Sequence, residues 1–168
     1  MTRMKSIVSK IKIQLQLRQK AEAGNMSCYK VWLYNFWSVN AEQMWLSRFM
    51  KSRGIVGKDK RFSFYSVFGD RRVINYDKRD VKIFITAENV HSHNFESYAD
   101  NMLSEKKIDL SIGFDYIDDV RYVRMPLWLR TQFAPEWSEK EIIEHVNRLR
   151  FPEIGKRDKF AALVARYD

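Results

Sequence analysis

The sequence contains a single cysteine, Cys28, and no apolar run of the length that a membrane-spanning helix needs. A chain with one cysteine cannot form an internal disulfide framework, and it offers no cysteine-based metal site. These absences exclude a disulfide-stapled secreted scaffold and an integral membrane protein. They predict a protein of the reducing cytoplasm.

Glycine is also scarce, and the six glycines are scattered along the chain. None of them forms the phosphate-binding patterns G-x-G-x-x-G or G-x-x-x-x-G-K-[ST]. No serine lies in the glycine-flanked elbow that hydrolases use for a nucleophile. The sequence therefore shows neither a self-sufficient nucleotide-binding loop nor a serine hydrolase site.

Apolar and aromatic residues are abundant. Hydrophobic residues make up 45% of the 168-residue chain and aromatic residues 14%, enough to fill the core of one globular domain. Aromatic residues are dense in residues 29–37 and 122–128. They have two interpretations, a platform on which sugar rings stack and ordinary core packing, and core packing is the commoner role.

Positive charge is concentrated at the N-terminus. The net charge is +9, and residues 1–25 carry six basic groups against one acidic group. This leader predicts a basic amphipathic helix that contacts an anionic membrane surface, or alternatively a loose, solvated extension. The basic groups are not interleaved with aromatic residues and match no nucleic-acid-binding motif, so no nucleic-acid partner is predicted.

Strand-like and helix-like patterns alternate after the leader. Strand patterns occur in CYKVWLYNFW, RFSFYSVFG, DVKIFITAEN, IDLSIGF and KFAALVARY, and helical patterns cover about 41–53, 95–106 and 139–149. Asn40 with Gln43 resembles a capping box that begins the first of these helices. The alternation predicts an α/β fold with a Rossmann-like, mainly parallel sheet and flanking helices.

Glu88 follows the third predicted strand, at the carboxyl end where open parallel sheets bind ligands. Phe84, Phe95 and Trp37 are expected to wall this carboxylate. In such a place it is suited to accept a proton from a hydroxyl group. The alternative is a solvated loop glutamate or one that begins a helix, which is the commoner role of a loop carboxylate.

Two further groups of polar residues have ordinary explanations that we favour. His91 and His93 share a loop, but zinc needs three or four convergent ligands, so hydrogen bonding to sugar hydroxyls or simple exposure is expected instead. Three aspartates within residues 115–119 precede Arg121. A salt-bridged turn explains them better than a divalent metal site.

Several blocks of the sequence follow the order and spacing of one known family. They read NFW at 35–37, TAEN at 86–89, DLSIGFD at 109–115 and DVRYVRMPL at 119–127. These blocks resemble N-[FW]-W, T-G-E-N, D-x-x-I-G-F-D and D-x-R-Y-x-R-x-P-L of the α1,3-fucosyltransferases, the family-ten glycosyltransferases, particularly their bacterial branch. The resemblance covers residues 29–168, and Ala87 stands where the family has glycine.

The resemblance implies an enzyme with two Rossmann-like domains, the GT-B arrangement, of which this chain corresponds to the N-terminal half. Such an enzyme transfers L-fucose from GDP-fucose to a sugar hydroxyl, typically on N-acetylglucosamine, with inversion. The glutamate of T-G-E-N is the general base of the family, and that role falls on Glu88. The diphosphate leaves without needing a protein acid.

The family's donor-binding domain carries basic and F-E-N…E-K residues that hold GDP-fucose, and nothing in this sequence matches them. The closing segment KFAALVARYD resembles the start of that domain. We therefore expect a leader at 1–25, an acceptor-binding domain at 26–157 and the start of a donor-binding domain at 158–168. By itself the chain is expected to be inactive, with GDP-fucose bound only when the donor-binding domain is supplied.

The resulting prediction is a fucosyltransferase-like glycosyltransferase with a glycan acceptor as its partner and Glu88 as its base. Acceptor contacts are predicted for Asn35, Trp37, Asn89 and His93. No metal or other cofactor is predicted beyond the GDP-fucose donor. Peripheral contact of residues 1–25 with the inner face of a membrane is a further expectation. The alternatives are a non-catalytic carbohydrate-binding fragment and a basic adaptor for membrane or nucleic-acid surfaces.

Overall fold

The structure, a computed structural model, describes residues 2–23, 25–26, 31–37, 40, 42–55 and 60–150. The chain divides into two compact units, Met1–Glu136 and Trp137–Asp168. The closing strand expected at 158–168 lies outside the described residues.

The first unit is built on a sheet whose strands lie in the order in which they occur in the chain. A two-residue strand at one edge is antiparallel to its neighbour, and the five that follow are all parallel. The predicted Rossmann-like α/β fold is confirmed. The strands are β1 (Asn25–Met26), β2 (Val31–Tyr34), β3 (Phe62–Tyr65), β4 (Val81–Ile85), β5 (Leu110–Gly113) and β6 (Tyr122–Arg124).

Helices of two kinds accompany the sheet. The α-helices are α1 (Thr2–Ala23), α2 (Trp45–Ser52), α3 (Leu127–Gln132) and, in the second unit, α4 (Glu139–Arg150); 3-10 helices cover Arg71–Asn75 and His93–Tyr98. Among the described residues, no helix combines the length and apolar character needed to span a membrane.

Side chains alternate along the strands, so each face of the sheet has its own apolar core. On one face, residues from β2 to β5 pack with Leu46 and Met50 of α2. On the other face, Tyr34, Tyr65 and Phe84 pack with both 3-10 helices and with the end of α1. The helices thus cover both faces, as expected for a parallel sheet.

The register of the sheet brings the ends of three strands together. Tyr34 lies opposite Tyr65, and Tyr65 lies opposite Phe84. The rings of Tyr34 and Tyr65 stack at 5.1 Å, and the ring of Phe84 stacks on Tyr98 at 5.7 Å. Because these residues end or nearly end their strands, the chain leaves β2, β3 and β4 at one common edge.

A buried ion pair joins the tyrosine-bearing face to α1. The Asp77 carboxylate is completely buried and lies 3.0 Å from Nη1 of Arg79, and it also accepts a hydrogen bond from the Tyr65 hydroxyl. Arg79 donates in turn to the Tyr34 hydroxyl and to the carbonyl of Ala21, the last buried residue of α1. Burial opposes ionisation of Asp77, but hydrogen bonds such as those from Tyr65 and Arg79 outweigh it and hold its pKa below the usual range.

Helix α1 is divided between packing and exposure. Leu17 and Ala21 are buried in the core, and the hydroxyl of Tyr34 donates to the Ala21 carbonyl at 2.6 Å. Towards the N-terminus, Ile7 and Ile11 are half exposed. The C-terminal part of the predicted basic helix is thus held on the sheet.

Two predicted helices differ from the structure. The first begins at Trp45 rather than near residue 41, because Asn40 accepts from the backbone N–H of Glu42 and forms a turn instead of capping the helix. The helix expected over 95–106 is the short 3-10 helix His93–Tyr98. Asn101 and Met102 then adopt φ of 50° and 58°, left-handed conformations that end helical structure.

The second unit contains α4, whose start matches the prediction. The hydroxyl of Ser138 accepts from the N–H of Glu141 at 3.3 Å, and the Glu141 carboxylate accepts from the N–H of Ser138 at 2.7 Å. This reciprocal pair is a capping box. It explains why the helix begins at Glu139.

We expect Asp77→Ala to lower the free energy of unfolding by about 3–5 kcal/mol, since it leaves the buried Arg79 guanidinium without its carboxylate. Because the folded-state pKa of Asp77 lies below the ordinary value, its stabilising effect is present at neutral pH. That effect is lost as the pH falls below the ordinary Asp value of about 4. Urea denaturation at neutral and acidic pH measures both effects.

Asp80→Ala is the matched control, because Asp80 pairs with Arg61 at the surface. Its cost should be much the smaller of the two. Equal losses from the two substitutions would show that the buried pair has no special role.

Candidate functional site

A cleft of about 290 Å³ lies where the chain leaves β2, β3 and β4. Its wall is largely apolar and aromatic, and it contains one acidic and one basic side chain. The principal lining residues are Phe36, Trp37, Trp45, Phe68, Glu88 and Arg130. An apolar cleft with a few convergent polar groups, at the carboxyl end of parallel strands, is the usual form of a ligand site in this fold class.

Glu88 is held at the rim of this cleft by its own loop. Its backbone N–H donates to the Thr86 hydroxyl at 3.0 Å, and the N–H of Thr86 continues the ladder to Ile112 of β5. The side chain is half-buried. Within the described part of the chain its carboxylate has no hydrogen bond or ion pair. The carboxylate therefore lies at the cleft without a protein partner among the described residues.

Asn35 determines how the chain leaves β2. It is 6% exposed and adopts φ of 57°, a left-handed conformation that asparagine tolerates better than most residues. Its amide group donates to the carbonyl of Asp70 at 3.1 Å and to the Tyr98 hydroxyl at 3.2 Å, and it accepts from Lys20 Nζ at 2.7 Å. The predicted acceptor contact Asn35 is thus occupied by protein partners beneath the cleft.

Position 69, which lies against the Asn35 side chain, has no room for a side chain of its own and is occupied by glycine. A Cβ atom at Gly69 would lie 2.2 Å from the Asn35 side-chain oxygen, closer than any real contact. The Gly69 carbonyl also accepts from the Tyr98 hydroxyl at 2.7 Å. The absence of a side chain at position 69 leaves room for the Asn35 amide and for Lys20 Nζ, which hydrogen-bond to each other there.

The turn at Asn35 places the next two residues differently. Phe36 packs against the core on the α2 face of the sheet, whereas Trp37 is 72% exposed and lines the cleft. The Trp37 ring meets Phe68 edge-on at 5.6 Å, and Phe68 meets Phe95 in the same way at 5.5 Å. An exposed indole that packs against Phe68, which in turn packs against Phe95, is a suitable surface for stacking a sugar.

The remaining predicted contacts lie outside the cleft wall. Asn89 and His93 are exposed, and the side-chain oxygen of Asn89 accepts from the N–H of His91 at 3.0 Å. His91 pairs with Asp115 at 3.0 Å, which Asn101 also contacts. The structure therefore brings Trp37 and Glu88 to one cleft, with Asn35 below them, and leaves Asn89 and His93 on the adjoining loop.

The aspartates of residues 115–119 belong to two separate interactions. Asp119 pairs with Arg121 at 3.3 Å, as expected for a salt-bridged turn, while Asp115 faces His91. Over the residues that the structure describes, no three histidine, cysteine or acidic side chains converge as metal ligands would.

Several lining residues were not predicted from the sequence, and Phe68 and Arg130 are two examples. Phe68 follows β3 and supports Trp37, and Arg130 lies in α3. Phe68 falls in a strand-like pattern that gave no sign of its turning outward. Arg130 is one of many basic residues, and no sequence signal distinguishes it from those at the surface.

The fold is that of a Rossmann-like domain with a cleft at the carboxyl ends of its parallel strands. The family model for the alpha-(1,3)-fucosyltransferase FucT N-terminal domain matches residues 31–130, more than half of the chain. The chain belongs to this family, which confirms the resemblance seen in the sequence. The match spans β2 to α3 and so includes every principal lining residue of the cleft. No curated protein and no solved structure matches the chain.

We expect Asn35→Ala to lower the free energy of unfolding by about 2–4 kcal/mol, because three hydrogen-bonding partners lose their contact and alanine disfavours the left-handed conformation. Asn89→Ala is the control, since Asn89 is exposed and a surface substitution of this kind changes stability by about 0.5 kcal/mol or less. Thermal unfolding of both variants tests this. A stable Asn35→Ala protein would contradict the structural role assigned to Asn35.

Proposed function

We propose that this domain binds the glycan acceptor of a fucosyltransferase in the cleft and that Glu88 is the general base of the reaction. The reaction is the transfer of L-fucose from GDP-fucose to a hydroxyl of an N-acetylglucosamine-containing glycan, with inversion. One observation supports this most: an unpaired carboxylate and an exposed tryptophan share a cleft in the segment that the fucosyltransferase family model matches.

The proposed mechanism assigns one task to each of these residues. An acceptor sugar ring stacks on Trp37, which places one of its hydroxyl groups near Glu88. As the hydroxyl oxygen attacks the anomeric carbon of fucose, its proton passes to the Glu88 carboxylate. The bond from that carbon to the phosphate oxygen breaks, and GDP leaves with the electron pair. Because attack and departure occur on opposite faces of the sugar, the configuration inverts.

The donor nucleotide is assigned to a second domain in a GT-B arrangement. The family match describes an N-terminal domain, and the sequence contains no glycine-rich phosphate loop. In this proposal the acceptor side of the enzyme provides the base, and the donor side holds the diphosphate. The described domain needs no metal or other cofactor for the acceptor step.

A non-catalytic carbohydrate-binding role is the second candidate, and the exposure of Trp37 favours it as much as catalysis. Peripheral membrane contact is compatible with either role. It is favoured by the exposed residues Ile7, Ile11 and Leu15 of α1 and the exposed lysines at positions 10 and 12. Neither α1 nor its lysines line the cleft, so such contact would be separate from acceptor binding.

The substitution Glu88→Gln separates the two candidates. We expect it to reduce fucose transfer by about 100-fold or more, since it removes the general base, while acceptor binding changes little. Transfer of radiolabelled fucose to N-acetyllactosamine measures the first effect, with the donor-binding domain of a family member supplied as a fusion. Calorimetric titration with the same saccharide measures the second.

Glu96→Gln is the control for this test, because Glu96 is an exposed glutamate of the neighbouring 3-10 helix and does not line the cleft. It should leave both measurements unchanged. Undiminished transfer by Glu88→Gln would remove Glu88 as the base. Binding of the saccharide by the wild-type fusion without any transfer would favour the carbohydrate-binding role.

Trp37→Ala should weaken binding of N-acetyllactosamine about tenfold, which corresponds to about 1.4 kcal/mol, through loss of the stacking surface. Trp128→Ala is the matched control, since Trp128 is also an exposed tryptophan but lies outside the cleft wall. Titration followed by NMR chemical shifts compares the two variants. Similar losses from both would show that the cleft is not the saccharide site.

A further inference from the structure

Among the described residues that line the cleft, Arg130 is the one basic residue, and it shares the wall with Glu88, Trp37 and Trp45. It belongs to α3, the short helix that follows the strands of the sheet. Arg130 and the other residues that line the cleft all belong to the first unit of the chain. A guanidinium group here is within the space that an acceptor saccharide would occupy.

Within the residues that the structure describes, the Arg130 side chain makes no hydrogen bond or ion pair. Its Nε atom is buried and makes no hydrogen bond. Burial lowers the pKa of the guanidinium, and no acidic group opposes that effect. A partly desolvated cation without a counter-ion is unfavourable unless a ligand provides the missing charge.

Several other arginines of the first unit form ion pairs with acidic side chains, unlike Arg130. These pairs are Arg48–Glu136, Arg61–Asp80, Arg71–Asp100, Arg72–Asp70, Arg79–Asp77 and Arg121–Asp119. Glu88, the acidic residue of the cleft wall, forms no such pair with Arg130, since within the described residues its carboxylate has no ion pair. The cleft therefore keeps an unpaired cation and an unpaired carboxylate in one wall.

We propose that Arg130 binds a carboxylate carried by the acceptor saccharide, so that the cleft selects acidic glycans over neutral ones. This inference rests on the proposed function, because it concerns the same acceptor. A planar guanidinium and a carboxylate form two parallel hydrogen bonds, which fix orientation as well as supply charge. The reacting hydroxyl then lies at Glu88 while the acidic group is held at Arg130, and Trp37 supports the ring between them.

The test compares saccharides that differ only in charge. The probes are the hyaluronan disaccharide and N-acetylmuramic acid, which carry the carboxylate at different positions, and the methyl ester of each. Because a hydrogen-bonded ion pair contributes about 1.5–3 kcal/mol, we expect at least one acid to bind the wild-type chain about 10-fold to 100-fold more tightly than its ester. Calorimetric titration with the 168-residue chain measures the ratio.

In Arg130→Gln the preference for the acid should fall to about one, while the affinity for the ester stays unchanged. Arg130→Lys should keep part of the preference, because it keeps the charge but not the paired geometry. Arg124→Gln is the matched control: Arg124 is exposed, donates to the carbonyl of Phe114 and does not line the cleft. It should retain the full wild-type ratio.

Three results would overturn the inference. The first is equal affinity for acid and ester, or no binding of any probe, in the wild-type chain. The second is a preference that persists in Arg130→Gln. The third is binding of GDP or pyrophosphate that depends on Arg130, which would assign the arginine to the donor phosphates.

Failure of the inference about Arg130 can be distinguished from failure of the proposed function. If Arg130 selects acids but Glu88→Gln does not reduce fucose transfer, the cleft recognises acidic sugars without serving as the transferase site. If Glu88 is essential but acid and ester bind alike, the proposed function stands and the selectivity assigned to Arg130 is wrong.

Discussion

The hydrogen bonds of the Asn35 amide are the constraint on which the rest of the site depends. One side chain ties together the end of β2, the Gly69–Asp70 turn, Tyr98 of a 3-10 helix and Lys20 of α1. Its left-handed backbone sends Phe36 inward and Trp37 outward. The asparagine in the first family block is therefore explained by the direction in which the chain leaves β2, and the tryptophan two residues later lies exposed in the cleft wall.

The sequence predicted those parts of the molecule that follow from local pattern. Apolar strand segments identified the parallel sheet, and the end of the third predicted strand placed Glu88 where Trp37, Phe84 and Phe95 were expected to surround it. In the structure Trp37 and Glu88 line one cleft, whereas Phe84 and Phe95 pack in the core on the tyrosine-bearing face. The position of Glu88 could be foreseen because it depends only on where β4 ends.

The unforeseen parts depend on contacts between residues far apart in the chain. The Asn35 amide forms hydrogen bonds within the protein because Lys20, Asp70 and Tyr98 converge on it. No local sequence pattern predicts that these three residues meet. The helix expected over 95–106 ends early because Asn101 and Met102 adopt left-handed conformations, which the sequence pattern did not indicate. Arg130 differs from several other arginines in lacking a carboxylate partner among the described residues, and this too depends on the fold.

Helix α1 contributes to the core of the domain although it precedes the residues that the family model matches. Leu17 and Ala21 fill the tyrosine-bearing core, and the Ala21 carbonyl accepts from both Tyr34 and Arg79. The family match begins only at residue 31. The core of this domain is therefore completed by a helix that lies outside the region by which the family is recognised.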